Sequence, residues 1–252
     1  MTTLQHNPAP AAEPGAWAGV QIIALGVLGS AVHLGSHGWM VGLAFAAATW
    51  SLLDAAMRRA GRLALGPADH VTLARGVLIG GVAALVADRS AHTTVLITLA
   101  TIALVLDGVD GQVARRTGTS SELGARLDME MDAFLILVLS VHAAYLVGPW
   151  VLAIGGMRYA FVAASWYLPW LRAPLPPRFG RKVVAALQGI LLVVVATGFL
   201  PGLVAAFALS TLSWSFGRDV LWLWNHRPIR NDRTTSGAAQ EERTPHHVHV
   251  PA

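Results

Sequence analysis

Long apolar runs, separated by short charged or Gly/Pro-containing breaks, set the pattern of this chain. Pro14 to Leu53 carries no Asp, Glu, Lys or Arg over 40 residues. That is enough for two helices of about 20 residues each, with Ser36, His37 and Gly38 as the predicted turn. Leu63–Ala68 is a short stretch behind the basic cluster Arg58, Arg59 and Arg62. Val71–Ala87 predicts a third span, closed by Asp88-Arg89-Ser90, and Ser90–Leu106 predicts a fourth that runs into acidic residues. Ala133–Met157 holds most of a fifth span, breaks at Gly148-Pro149, and begins a sixth that passes Arg158 and reaches Leu171. Val183–Gly217, broken at Gly198, Pro201 and Gly202, supplies the seventh and eighth. The expected fold class is therefore all-α, a polytopic membrane helix bundle with no internal repeat. The first 15 residues carry no Lys or Arg, unlike a secretory signal peptide. From Asn225 the chain turns polar and reads as a disordered cytoplasmic tail.

Composition agrees with the pattern. Hydrophobic residues make up 54 % and charged residues 13 %, with a mean hydropathy of +0.54. A soluble domain carries about twice that charge, so large water-facing domains are excluded. There is no cysteine, which removes disulfides and thiolate metal sites. The net charge of +4 and pI near 10.3 would in sum suit nucleic acid, but the placement of the cations argues for a membrane. With eight alternating helices and the N-terminus inside, 16 of the 18 Lys and Arg, Arg75 among them, fall on the cytoplasmic side. Arg89 falls outside and Arg158 within a span. That bias orients the chain in a cell membrane with both termini cytoplasmic. It makes the basic pI a property of one face, suited to anionic lipids and phosphates and not to nucleic acid. Trp17, Trp39, Trp150, Trp170, Trp222 and Trp224 lie near span ends, as interfacial anchors do.

Six of the 14 acidic residues lie between Asp107 and Asp132. Asp107 and Asp110 are spaced i,i+3 at the end of the fourth span; Asp128 and Asp132 are spaced i,i+4 at the start of the fifth. Each pair shares a helix face, and the short connection makes the two helices antiparallel neighbours. Four like charges meeting at a membrane boundary repel one another. One or two hard divalent cations, Mg²⁺ or Mn²⁺, relieve that with oxygen ligands alone. The plainer alternative is four solvated acids paired with Arg115, Arg116 and Arg126. Gly108, Gly111 and Gly124 weigh against it. Glycine inside a helix costs about 1 kcal/mol against alanine, so three beside one site point to close approach by a ligand or another backbone. Glu130 faces away from Asp128 and Asp132 and is left out of the set.

The run Asp107-Gly108-Val109-Asp110-Gly111-Gln112-Val113-Ala114-Arg115, then Gly124, Asp128 and Asp132, resembles the signature of the CDP-alcohol phosphotransferases, D-x2-D-G-x2-A-R-x8-G-x3-D-x3-D. All eight fixed positions match. The resemblance runs from about Asp69 to Trp224. It implies a six-helix catalytic core at 58–224, with two extra transmembrane helices at 16–57 between tails at 1–15 and 225–252. It further implies that Asp107, Asp110, Asp128 and Asp132 hold a divalent metal pair, Mg²⁺ or Mn²⁺. Asp132 would also serve as general base on the acceptor hydroxyl. Gly111, Arg115 and Ser121 would hold the CDP part of the donor. The family's N-x-x-T segment looks like Asp69-His70-Val71-Thr72, with Asp69 in place of the usual Asn, and adds Thr72 and Asp69 to the donor contacts.

The implied activity is that of a phosphatidyltransferase of phospholipid biosynthesis. It would move a phosphatidyl group from CDP-diacylglycerol to a polar alcohol, with release of CMP. The expected partners are CDP-diacylglycerol, the acceptor, membrane lipids and a second copy in a homodimer. Arg158, Arg172, Arg178, Arg181 and Lys182 form a second basic group. Arg158 either contacts the acceptor or pairs with Glu130. Arg178, Arg181 and Lys182 either belong to the cytoplasmic charge bias or line a pocket for a phosphorylated acceptor. On the second reading glycerol 3-phosphate comes first and an inositol phosphate next. An ion-coupled transporter is the competing class, since intramembrane acids also mark ion pathways. It predicts acids spread through several helices and an inverted repeat.

Overall fold

The computed structural model describes residues 12–60, 65–117, 122–173 and 179–226. These carry eight α-helices and no strand: α1 Ala12–Val32, α2 Ser36–Ala60, α3 Pro67–Ala87, α4 Thr93–Thr117, α5 Glu122–Val147, α6 Leu152–Tyr167, α7 Phe179–Ala196 and α8 Pro201–Asn225. Short 3₁₀ turns at Pro149–Val151 and Pro169–Arg172 flank α6.

The breaks follow local chemistry. Gly148, at φ 121°, turns the chain into Pro149, a position open to glycine without a steric penalty. The first turn lies earlier than the sequence predicts. His33 adopts a left-handed φ of 54°, and Leu34 N–H donates to Gly29 O at 3.0 Å. That is a Schellman-type close, so α2 already begins at Ser36. Arg89, φ 49°, ends α3 in the same way, with Ser90 N–H donating to Leu85 O at 3.1 Å. The neighbouring Asp88 carboxylate accepts the Gly35 N–H at 3.1 Å and ties this end of α3 to the start of α2.

Helix α3 is the hub and touches α1, α2, α4 and α5; α5 in turn packs on α6, α7 and α8. Ile79, Val82 and Ala84 of α3, Ala100 and Ala103 of α4, and Leu135 of α5 are fully buried. Small residues let the backbones close up, as in membrane helix pairs. A Cβ on Gly155 would lie 2.5 Å from Leu137 Cα, so α5 and α6 meet at van der Waals distance there. The outside is apolar too, with Ile23, Leu203 and Trp214 all largely exposed. An apolar exterior over a tightly packed interior is what lipid requires. Four helical stretches, Gly15–Val32, Ser36–Arg59, Asp69–Ala87 and Gly124–Val147, are long and apolar enough to cross a membrane. Thr93–Gly108 and Val183–Ala196 are shorter apolar helices. The protein is an integral membrane helix bundle.

Candidate active site

Helix α4 does not stop at the predicted boundary near Leu106. It continues as helix through the glycines to Thr117, which carries Asp107 and Asp110 on one rod. Helix α5 begins at Glu122, so Asp128 and Asp132 lie well inside it and not at its start. Carboxylate oxygens of Asp107, Asp128 and Asp132 then lie within 4.8 Å of one another. Each side chain is a little over a third exposed. Among the described residues nothing lies within 4 Å of a Cβ built on Gly108, so the room it leaves is open and not filled by a packed backbone.

Beneath the acids lies a residue that the sequence reading assigned to the cytoplasmic charge bias. Arg75, on α3, has no exposed side-chain surface. Its Nη1 donates to Asp128 and lies 3.0 Å from Asp107 Oδ1, and its Nη2 donates to Asp132. One guanidinium thus ties three helices together, as its planar fork of donors allows. A buried charge needs such partners. The sequence held one hint, a cation inside the apolar run Val71–Ala87. The partners lie 32 to 57 positions further along the chain, and no local pattern pairs them.

The segment ahead of Arg75 is also buried. Asp69 sits at the third position of α3, where its carboxylate accepts the Gly66 N–H at 2.8 Å, the reach-back half of a capping box. It is 2 % exposed and Thr72 is 4 % exposed, so this stretch is packed into the bundle one to two turns ahead of Arg75. His70 lies between them and accepts a hydrogen bond at its Nδ1 from Trp17 Nε1 of α1, at 3.0 Å. Trp17 therefore does more than anchor an interface: it joins the N-terminal helices to this segment.

Other expected residues are distributed differently. Asp110, Gly111 and Arg115 lie on α4, but their side chains are outside the described residues, as are those of Arg181 and Lys182 on α7. Ser121 and Arg178 fall wholly outside them. Of the two readings of Arg158, the structure bears the ion pair, 2.5 Å to Glu130 Oε1. Arg172 donates from Nε to Ser165 O at 2.8 Å and closes its own turn. On α5 the buried Nε2 of His142 has no hydrogen-bond partner among the described residues.

The donor set is oxygen only, which suits Mg²⁺ or Mn²⁺. Metal–oxygen bonds of about 2.1 Å in an octahedron bring ligands to about 3 to 4 Å of one another. Three carboxylates with ligand atoms within 4.8 Å of one another, open on one side, are residues that fit such an ion.

A membrane helix bundle with a partly exposed carboxylate cluster, backed by a buried arginine, defines a class of candidate metal site. Residues 66–216 match the family model for CDP-alcohol phosphatidyltransferase, and the chain belongs to that family. The match begins at Gly66, just before α3, and leaves α1 and α2 outside it. None of the curated proteins and none of the solved structures compared matches the chain. The family makes the protein a transferase that moves a phosphatidyl group from a CDP-linked donor to an acceptor alcohol.

Proposed function

We propose that the protein takes CDP-diacylglycerol as donor and glycerol 3-phosphate as first acceptor, at the cytoplasmic face of a cell membrane. The convergence of Asp107, Asp128 and Asp132 from two helices carries this reading, together with Asp110 at its matching place in the motif. Bound Mg²⁺ or Mn²⁺ would supply charge neutralisation at the pyrophosphate oxygens. The chain's own groups do the rest. Gly111, Arg115 and Ser121 hold the CDP part, and Thr72, with Asp69 as its helix cap, lines the wall beside it. Asp132, one of whose oxygens Arg75 holds in the absence of metal, accepts the acceptor's hydroxyl proton. The hydroxyl oxygen bonds to the phosphorus that bears the lipid, the bond between the two phosphates breaks, and CMP leaves.

The orientation rests on the cation bias, which does not need Arg75: fifteen other Lys and Arg remain on that side. Because Arg158 is held by Glu130, phosphate on the acceptor is assigned to Arg178, Arg181 and Lys182. The transporter reading loses ground, since the three clustered acids lie on two helices, α4 and α5, that both pack on α3, and gather at one place instead of spreading along a path. Purified protein in detergent, given CDP-diacylglycerol and Mn²⁺, is expected to release CMP when glycerol 3-phosphate is added. A panel with inositol phosphate, inositol and serine assigns the acceptor. Folded protein that releases no CMP with any of them overturns the enzyme reading.

A further inference from the structure

We propose that Arg75 is the resident cation of the acidic site, and that it exchanges its hold on the carboxylates with the divalent metal. The inference rests on the metal-dependent reading above and goes beyond it. Three observations carry it. Arg75 is completely buried, while the three acids it touches are each a little over a third exposed. It therefore meets them from inside the protein, and a metal reaches them from the open side. The oxygens it holds, Oδ1 of Asp107, Asp128 and Asp132, come from the same three side chains whose ligand atoms gather within 4.8 Å. A guanidinium and a divalent ion at this spacing repel each other, so each weakens the other's hold.

The helices are placed independently of this contact. Helix α3 packs along both α4 and α5 through buried apolar residues such as Ile79, Val82, Ala100 and Leu135. Loss of the guanidinium thus leaves the acids close together but uncompensated. The charge effect outweighs the loss of ordering. A unit charge about 5 Å away in a half-exposed site changes the affinity of a divalent ion by tenfold or more, even after partial screening by solvent.

The test is Mn²⁺ binding, read from the spectroscopic signal of free Mn²⁺, with thermal unfolding in chelator and in Mn²⁺. Arg75→Gln is expected to bind Mn²⁺ about tenfold more tightly than wild type, to unfold at a lower temperature in chelator, and to gain more from Mn²⁺. Arg75→Lys keeps the charge but loses the fork and holds fewer of the carboxylate oxygens, so its Mn²⁺ affinity is expected to rise about threefold over wild type. Arg75→Gln with wild-type or weaker Mn²⁺ affinity overturns the proposal. If Arg75→Gln folds in neither condition, Arg75→Lys decides. A Mn²⁺-induced rise in unfolding temperature greater than that of wild type supports the exchange, and an equal rise overturns it. Wild-type protein that binds no Mn²⁺ overturns the metal reading itself, which separates that failure from a failure of the exchange.

Discussion

Helices α1 and α3 are both 21 residues long and both apolar enough to cross a membrane, yet they do different jobs. In α1 only 22 % of the spanning stretch is buried, and α2 matches it; in α3 the figure is 61 %. A helix mostly facing lipid can hide few polar groups. Helix α1 buries one, Gln21, whereas α3 buries Asp69, Thr72 and Arg75 within seven residues. A charge in lipid is costly unless protein surrounds it. The helix with the most protein around it is the one that can supply a fully buried arginine to the site. The N-terminal pair, outside the family match, meets the rest of the bundle chiefly along α3, with Phe45 of α2 also stacked on Phe134 of α5.

The sharpest way to break this contrast is to neutralise the site acids. Asp128→Asn and Asp132→Asn each keep shape and remove charge. CMP release is expected to fall by at least about a hundredfold in both, with helical content by circular dichroism unchanged. Full activity in Asp132→Asn would remove that residue as the base.

Next in size is a pair of isoleucines. Ile79 of α3 is fully buried and Ile23 of α1 is 69 % exposed. Ile79→Ala leaves a cavity between close-packed helices and is expected to cost about 2 kcal/mol or more in detergent unfolding. Ile23→Ala trades one lipid-facing apolar group for a smaller one and is expected to stay within about 0.5 kcal/mol. Equal losses would mean that α1 is as deeply embedded in protein as α3.

Much of this was legible in the sequence, and what was not has physical reasons. Hydropathy and Gly/Pro breaks located eight helices, because lipid forces each backbone segment to satisfy itself locally. The acidic motif was legible because its spacing is helical, but the expected neighbour packing of its two helices was not met: among the described residues α4 and α5 each pack on α3 and bring their acids together across it. Helix ends were less so. Nothing in the apolar pattern shows that His33 takes the left-handed position, or that α4 runs on past Leu106 through Gly108 and Gly111. The pairing of Arg75 was not legible because a cation near a span end fits both the charge bias and an internal ion pair. Only the packing of α3 against α4 and α5 separates the two. Arg158 posed the same choice, and there too a tertiary contact with Glu130 decided it.

The smallest effect probes the seam itself. Trp17 Nε1 donates to His70 Nδ1 at 3.0 Å, which puts the His70 proton on Nε2 and fixes the ring beside Asp69 and Thr72. Trp17→Phe keeps an aromatic ring against Leu53, Met57 and Leu73 and removes only the donor. One such hydrogen bond contributes about 1 kcal/mol net. If it positions the donor-binding wall, KM for CDP-diacylglycerol should rise about fivefold while kcat holds, since the acids and Arg75 are untouched. Trp214→Phe, at a side chain 77 % exposed on α8, is the control and should change neither constant. A Trp17→Phe enzyme with wild-type KM would confine α1 to anchoring. A fall in kcat of similar size would place its influence on the carboxylates, by way of α3, and so erase the division of labour between the two helices.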